Sequence, residues 1–469
     1  MKPERIGFWG GLFVFVVMLF MPAPAGMEVS AWRVAALTIL MATWWMTQAL
    51  PLTVTALLPF LALPLMGIMT AQDVAKEYYS PTLFLILGGA FLALAIERTG
   101  MHRRVALSIL SRSGHSVTGL MIAFMGSTAL LSMVMSNTSI ALIMVPIAVA
   151  VLAAGGTKAG ETDGLPGALI MGVAFAASIG GLGTLVGSPT NAIAAGLVEK
   201  QLGIQISFLT WMLYGLPIVV IGIPLCAFIL MRVQNVTAGS FDVDAARESI
   251  GQARPMSVPE KRLVPIFLLV ILAWITQPLL EPFLPKGAIT DGSIAIAGSL
   301  LLFLIPDGTG RPLLTWQEAD RAPWGVIMMF GGGLALAAGI TQSGLAAWLG
   351  DALRPLSLVH PIIIAIALTA LVILITEFAS NVATASGVLP VVAGLVAATG
   401  ADPWLMAMAA SMAASWGFMM PSGTGPNAIA WASGHIALPK MVKAGFCLDL
   451  AGIPLIVGAV WLVGQLRML

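Results

Sequence analysis

The chain has 469 residues, of which 59% are hydrophobic and only 9% are charged, and its net charge is +1. Soluble domains carry about 25% charged residues, and a mean hydropathy of +0.98 is too high for a surface that faces water. The composition therefore excludes a soluble enzyme, a disordered chain and a nucleic-acid-binding domain. It predicts an all-α polytopic membrane protein.

The N-terminus imitates a secretory signal, because Lys2 and Arg5 precede an apolar run over 7–22. Many apolar runs follow it, so we expect an uncleaved first helix. A span needs about 20 apolar residues, and the chain has room for about 11 transmembrane helices. The later runs lie at 31–49, 52–69, 82–97, 117–135, 138–154, 165–198, 207–231, 263–283, 288–305, 323–349, 359–379, 383–398, 402–433 and 442–466.

Two pairs of these runs are short and meet at polar residues. The first pair is divided by Ser136 and Asn137, and the second pair by Ser380, Asn381 and Val382. Two short helices that meet at polar residues predict a re-entrant hairpin, which enters and leaves the membrane on the same side.

Two other runs are long but interrupted. Gly187-Ser188-Pro189 divides 165–198, and Gly423-Thr424-Gly425-Pro426 divides 402–433. Glycine permits unusual backbone geometry and proline removes a hydrogen-bond donor. These runs therefore predict spans that are broken in mid-membrane.

A charged segment, 232–262, separates two halves that repeat. The agreement occurs at offsets of 244 and then 236 residues, and paired interrupted segments are typical of a transporter binding site. The matching pairs are Gly88 with Gly332, Gly100 with Gly344, Ser136 with Ser380, Asn137 with Asn381, Gly187 with Gly423, and Asn191 with Asn427.

Charge predicts the orientation of the two halves. With a cytoplasmic N-terminus, sixteen of the 22 Lys and Arg residues lie inside and six lie outside, in agreement with the positive-inside rule. Eleven spans then place the two hairpins on opposite faces. The sequence therefore predicts two inverted repeats.

The hairpin tips carry the chemistry. The first tip, 132–138, offers hydroxyl, amide and backbone oxygens without a fixed charge, and its counterpart is 376–382. Unpaired carbonyls deep in a membrane are costly unless they meet a ligand, an ion or water. Oxygen ligands of this kind suit a hard cation such as Na+. The alternative is that Ser and Asn only cap two packed half-helices.

The helix breaks have an alternative interpretation as simple proline kinks, with Asn191 and Asn427 capping the outgoing half-helices. Basic residues are almost absent from mid-membrane positions, so an anion site here must use helix termini, hydroxyls, amides and bound cations. Glu377 is the one clear carboxylate in a hairpin arm. It is a candidate functional group, or it pairs with a base or faces a water-filled crevice.

Together these segments resemble the divalent anion:sodium symporter family, the di- and tricarboxylate carriers. The resemblance covers nearly the whole chain. It rests on the two tips, the two breaks, the Glu97–Arg104 stretch and the segment 323–333.

The resemblance implies one dicarboxylate site flanked by two sodium sites. The residues implied for the first sodium are Ser132, Ser136, Asn137 and Gly187. The residues implied for the second sodium are Thr376, Ala379, Asn381 and Gly423. The residues implied for the substrate carboxylates are Ser136, Asn137, Thr138, Ser188, Pro189, Ser380, Asn381 and Thr424.

The resemblance also implies a homodimer with a fixed scaffold and an elevator-like transport domain. It divides the chain into scaffold spans (1–116), a transport part (117–231), a cytoplasmic linker (232–262), further scaffold spans (263–358) and a second transport part (359–469).

Two residues depart from the family pattern. Val382 stands where threonine is usual, and it cannot donate a hydrogen bond, which is worth about 0.5–1.5 kcal/mol. Gly425 stands where proline is common, which predicts a looser second break.

The sequence thus predicts a sodium-coupled symporter of C4-dicarboxylates such as succinate, malate or fumarate in a bacterial-type inner membrane. Na+ is its coupling ion, and no organic cofactor is expected. Alternatives of the same fold are a dicarboxylate exchanger and a citrate or sulfate carrier. An anion channel is disfavoured by hairpins that enter from opposite faces. A membrane enzyme is disfavoured because the sequence offers no nucleophile–base pair or metal cluster.

Overall fold

The computed structural model describes residues 3–112, 114–158, 160–237, 241–250, 255–285 and 287–468. Within these ranges the chain forms 23 α-helices and two short 3-10 helices. The extended pairing in this part of the chain is one antiparallel bridge between Pro306 and Pro312. The predicted all-α fold is confirmed.

Twelve helices form the first half. Two of them, α6 and α11, begin at a serine cap followed by proline; in α6, Ser80 accepts the N–H of Thr82 and Pro81 takes the first helical position. Their bounds are α1 Pro3–Phe20, α2 Val29–Thr47, α3 Leu52–Thr55, α4 Leu58–Leu65, α5 Ala71–Glu77, α6 Pro81–Thr99, α7 Met101–Leu110, α8 Val117–Ser132, α9 Asn137–Ala154, α10 Leu165–Gly181, α11 Pro189–Leu202 and α12 Phe208–Val233.

Eleven helices follow in the second half of the described chain. The 3-10 helices, Glu281–Phe283 and Arg354–Leu358, follow α14 and α18. The α-helices are α13 Val243–Ile250, α14 Val258–Leu280, α15 Asp291–Leu304, α16 Trp316–Ala319, α17 Trp324–Gln342, α18 Leu345–Leu353, α19 Pro361–Phe378, α20 Asn381–Thr399, α21 Pro403–Ala413, α22 Gly425–Ala432 and α23 Leu438–Met468.

Eight helices of the described chain are long and apolar enough to cross a membrane, namely α2, α6, α9, α12, α14, α17, α19 and α23. The apolar helices α8, α10 and α21 have 16, 17 and 11 residues. At 1.5 Å per residue each is shorter than a hydrocarbon core of about 30 Å. These three helices are too short to span alone, whereas α9 and α19 of the predicted hairpins are long enough. The re-entrant hairpins, the mid-membrane breaks and the total of 11 spans stay predictions.

The apolar run over 52–69 does not form one helix. It divides at Ala56 into α3 and α4, and the hydroxyl of Tyr78 donates to the carbonyl of Ala56 at 2.5 Å. A side-chain carbon placed on Gly332 would lie only 2.3 Å from the same carbonyl oxygen. The break therefore lets α17 approach the backbone closely.

The predicted repeat extends to backbone and packing. Gly100 joins α6 to α7 with a φ of 79°, and Gly344 joins α17 to α18 with a φ of 80°. Both values lie in the left-handed region that favours glycine. Gly88 of the first half packs directly against Ala295, and Gly332 of the second half packs directly against Ala56.

The charged segment 232–262 contains a helix that sequence patterning did not predict. Helix α13 packs against α7 and α9, and the guanidinium of Arg247 donates to the carbonyl of Ser111 at 3.1 Å. Residues 238–240 and 251–254 of this segment lie outside the described residues. So do Lys2 and Lys286, which contributed to the predicted orientation.

Helix α10 lies at the centre of the site-bearing part of the fold. Each of its 17 residues is buried, and it contacts α8, α9, α12 and α22. Small residues permit this, because a side-chain carbon on Gly180 would lie 2.4 Å from the backbone of Ala129. The C-terminus of α10 is thereby held directly beside the first hairpin tip.

Candidate functional site

The two hairpin tips are helix breaks capped by serine. Between α8 and α9, Ser136 accepts the N–H of Ser139 at 3.4 Å. Between α19 and α20, Ser380 accepts the N–H of Ala383 at 3.2 Å. Each hairpin therefore presents the C-terminus of one helix and the N-terminus of the next at the same point.

The first tip gathers oxygen atoms from three segments. The hydroxyl of Ser132 lies 2.7 Å from the Asn137 side-chain amide and donates to the carbonyl of Ala177, also at 2.7 Å. A carbon placed on Gly187 would lie 2.5 Å from the Gly181 carbonyl and 3.0 Å from the Ser132 carbonyl. The hairpin and the helix break thus meet at one point.

The side-chain amide of Asn137 faces three oxygen atoms of the first tip and break. One terminal atom of that amide lies 2.7 Å from Ser132 Oγ, 3.1 Å from the Gly187 carbonyl and 3.2 Å from the Ala177 carbonyl. With nitrogen in this place, the amide donates to these oxygens. With oxygen there, four oxygens face one another, an arrangement that a hard cation satisfies.

The second tip repeats the first in detail. The hydroxyl of Thr376 donates to the carbonyl of Ala414 at 2.8 Å and lies 2.9 Å from Asn381 Oδ1. A carbon on Gly423 would lie 3.4 Å from the carbonyl of Glu377. Ala379 has an extended backbone directly after α19. The structure thus brings together Thr376, Asn381 and Gly423 of the residues implied for the second sodium, with Ala379 between α19 and the tip.

The two asparagines after the breaks hold the broken helices in shape. Asn191 donates to the carbonyls of Gly181 and Thr184 at 2.7 and 2.8 Å. Asn427 donates to the carbonyl of Met420 at 3.2 Å. Each asparagine thus connects the helix after the break to carbonyls that precede the break.

Four helix N-termini in the tips and breaks carry hydroxyl caps: Ser136 on α9, Ser188 on α11, Ser380 on α20 and Thr424 on α22. Helix N-termini favour anions because they combine free N–H groups with the positive end of the helix dipole. The arrangement is suited to a carboxylate ligand.

One cavity of about 200 Å³ reaches part of this predicted substrate site. It is lined by Ser136, Ser188 and Pro189. The other residues predicted to meet the substrate do not line it: Asn137, Thr138, Ser380, Asn381 and Thr424. The cavity therefore opens onto the half of the site that the first repeat supplies.

The two repeats touch at Thr138 and Gly425. A carbon placed on Gly425 would lie 2.3 Å from Thr138 Oγ1 and 3.1 Å from its methyl group. Gly425, which stands where the family commonly has proline, therefore leaves room for the side chain of Thr138 from the first tip. Sequence reasoning could not find this contact, since the two residues lie far apart in the chain.

The second departure, Val382, has an apolar setting. Its side chain is half-buried and packs against both buried apolar clusters of the protein. Val382 lacks the hydroxyl that a threonine would have, but its methyl groups pack against these two clusters.

Glu377 has a clear structural role that its sequence position alone did not reveal. Its buried carboxylate accepts the backbone N–H groups of Phe418, Met419 and Met420, and the two bonds to Met419 are both 3.0 Å. Asp449 of α23 is also buried and lies beside Glu377. The carboxylate therefore fixes the break between α21 and α22 just before Gly423.

The site offers no cluster for a transition metal. Among the residues that the structure describes, there is no group of three His, Cys, Asp or Glu side chains placed to hold a metal ion. The oxygen atoms around Asn137 and Asn381 come from hydroxyls, amides and carbonyls instead.

The fold and the site define a membrane carrier whose binding residues lie on broken helices and hairpin tips. The chain belongs to the sodium:sulfate symporter family, because the sequence model of that family's transmembrane region matches residues 7–468. The resemblance predicted from the motifs is confirmed. The chain is a transporter and not an enzyme, and its family and candidate spans make it a multi-pass plasma-membrane protein.

Relatives with assigned names agree with the family. The chain is 37% identical over 475 residues to the sodium-dependent dicarboxylate transporter SdcS of Staphylococcus saprophyticus, covering 98% of this chain and 91% of that protein. It is 38% identical over 476 residues to SdcS of Staphylococcus aureus strain USA300, with the same coverage.

The fold also matches a solved structure. The crystal structure of the YdaH transporter of Alcanivorax borkumensis superposes with a TM-score of 0.56, covering 99% of this chain and 98% of that one. The sequences are 15% identical, so the match concerns the fold alone.

Proposed function

We propose that the chain couples Na+ to the symport of dicarboxylates across the plasma membrane. The observation that carries this proposal is the pair of matched oxygen clusters, one at Asn137 and one at Asn381. Relatives at 37–38% identity are named sodium-dependent dicarboxylate transporters. Two cation sites beside hydroxyl-capped helix N-termini suit a ligand with two carboxylates.

The transported anions are C4-dicarboxylates such as succinate, malate and fumarate. The carboxylates meet the two tips and the two breaks, at Ser136, Asn137, Thr138, Ser188, Pro189, Ser380, Asn381 and Thr424. Sodium is held by Ser132, Ser136, Asn137 and Gly187 at one site and by Thr376, Ala379, Asn381 and Gly423 at the other. Bound Na+ supplies positive charge that the side chains of the tips lack.

Transport proceeds by an elevator-like movement within a homodimer. The scaffold is formed by 1–116 and 263–358, and the transport parts by 117–231 and 359–469. One buried cluster joins α2, α4 and α5 of the first half with α17 and α18 of the second, and it also takes in Ala383 of α20, where the proposed transport part meets the scaffold. The N-terminus and the linker 232–262 lie on the cytoplasmic side.

A substrate panel in proteoliposomes tests the proposal. We expect labelled succinate, malate or fumarate to accumulate with an inward sodium gradient and to fail to accumulate when choline replaces sodium. Accumulation that is equal in choline would overturn the coupling. Uptake only against internal dicarboxylate, without sodium dependence, would identify an exchanger.

Sulfate is the second candidate substrate, because the matching family is described as sodium:sulfate symporters. Labelled sulfate and citrate therefore belong in the same panel. Sodium-driven uptake of sulfate that succinate does not inhibit would assign the chain to sulfate.

A further inference from the structure

The cavity that reaches Ser136 and Ser188 has a charged mouth. Two charged side chains line it, Glu97 at the end of α6 and Arg321 just before α17. Arg321 is the one basic residue in this lining, as far as the described chain shows. A dicarboxylate using this cavity would therefore meet one fixed positive charge on its way to the tips.

The chain segment that carries Arg321 is anchored to α6 by Arg98, the neighbour of Glu97. Arg98 donates to the carbonyl of Leu313 at 2.9 Å and pairs with Asp307, and it lies 3.6 Å from Glu318. These contacts tie the segment between α15 and α17 to the C-terminus of α6. The Arg98 guanidinium holds the pKa of Asp307 well below its usual range, so this anchor stays charged in neutral solution.

The pair formed by Arg321 and Glu97 is itself loose. Their closest nitrogen and oxygen atoms are 3.6 Å apart, and the side chains are 55% and 35% exposed. Exposed pairs of this kind contribute little to stability. A carboxylate arriving from solution can therefore replace that of Glu97 at little cost.

We propose that Arg321 is an access site for the anion at the mouth of the cavity, where a substrate carboxylate displaces Glu97 as it moves between solution and the hairpin tips. The inference rests on the proposed dicarboxylate transport. Arg321 is a positioning residue that raises the local anion concentration, and Glu97 is its built-in competitor. The two residues therefore have opposite effects on substrate capture.

Equilibrium exchange of labelled succinate in sodium-loaded proteoliposomes tests this, because equal substrate on both faces makes orientation irrelevant. We expect Arg321→Gln to raise the half-saturating succinate concentration about threefold or more, and Glu97→Gln to lower it about twofold, as expected for one exposed charge interaction. The maximal rate stays nearly unchanged in both variants. In the Arg321→Gln background, Glu97→Gln has no further effect.

Three controls sharpen the result. Arg321→Lys keeps the charge and retains most of the affinity, while Arg103→Gln removes the same charge from an exposed position outside the cavity lining and changes little. The defect of Arg321→Gln shrinks as ionic strength rises, because salt screens exposed charges. Elution as one species in size-exclusion chromatography verifies that the variants fold.

If both single variants weaken capture equally, the pair is only a structural contact and the inference is wrong. It is also wrong if neither variant changes the half-saturating concentration while the parent chain exchanges succinate. A parent chain that exchanges no succinate would overturn the proposed function instead. The two failures are therefore distinguishable.

Discussion

Each hairpin tip carries one asparagine whose side chain contacts the hydroxyl of the preceding helix. Asn137 meets Ser132, Ala177 and Gly187, and Asn381 meets Thr376. The matched geometry in the two repeats exceeds what helix capping alone requires, because Ser136 and Ser380 already cap the outgoing helices. We therefore propose the two asparagines as sodium ligands.

Replacing either asparagine tests this assignment. We expect Asn137→Ala and Asn381→Ala each to lower sodium-driven succinate uptake by at least about tenfold, because losing a polar group from a buried site costs about 1–3 kcal/mol. Raising sodium should recover part of the uptake. Asn235→Gly is the control, since Asn235 is exposed in a turn with a φ of 51°. Variants that insert normally and transport like the parent would refute the site assignment.

Gly425 offers a second test at this scale. A side chain there would collide with Thr138, and overpacking costs about 1–3 kcal/mol. We expect Gly425→Ala to raise the KM for succinate, and Thr138→Ala to relieve the effect in the double variant. Gly458→Ala is the matched control, because open space surrounds Gly458. An unchanged KM in Gly425→Ala would show that the two repeats do not meet at the substrate.

Sequence alone could locate the tips and breaks, because Ser136, Asn137 and their counterparts interrupt otherwise apolar runs. It could not reveal the contact between Thr138 and Gly425, since such a contact depends on how two distant helices pack. For the same reason it could not pair Glu97 with Arg321. Local polarity in an apolar background is visible in a sequence, whereas the partners of a polar group are not.

At the scale of helices, the breaks are held by specific side chains and not by proline alone. Glu377 of α19 binds three successive N–H groups after α21, and Asn427 bridges the same break. The hairpin and the broken helix of the second repeat therefore form one unit. Helix α13, by contrast, is not predicted from the sequence because it has only eight residues and lies inside a charged segment.

Replacing the carboxylate of Glu377 tests whether the second hairpin and its broken helix act as one unit. We expect Glu377→Gln to lower the unfolding temperature and to raise the sodium concentration required for half-maximal uptake. Hydrogen bonds to a charged group are each worth about 1.5–3 kcal/mol, and the amide NH2 of glutamine opposes N–H donors. Glu248→Gln, at an exposed position of α13, is the control. A sodium dependence identical to that of the parent would show that Glu377 does not influence the second sodium site.

At the scale of the whole molecule, the proposed scaffold and transport parts meet along glycine-lined surfaces. A carbon placed on Gly333 of α17 would lie 3.3 Å from Cβ of Ser386 on α20. An elevator-like movement must slide these two helices past one another, whereas a fixed fold would keep them in contact.

Cross-linking tests the movement. In a chain lacking the free cysteines Cys226 and Cys447, we expect oxidation of Gly333→Cys with Ser386→Cys to stop uptake and reduction to restore it. The spacing is close to that of a disulfide. The control is Gly298→Cys with Val270→Cys, a contact within the proposed scaffold. Continued transport in the fully cross-linked first pair would contradict the elevator.

The central claim is that bound sodium supplies the positive charge of the anion pocket. Only 9% of the residues are charged, and the hairpin tips carry no basic side chain. Succinate binding to the purified protein, measured by isothermal titration calorimetry in sodium and in choline at equal ionic strength, tests this most directly. We predict binding that strengthens with sodium and is lost in choline. Equal binding in both salts would contradict the account.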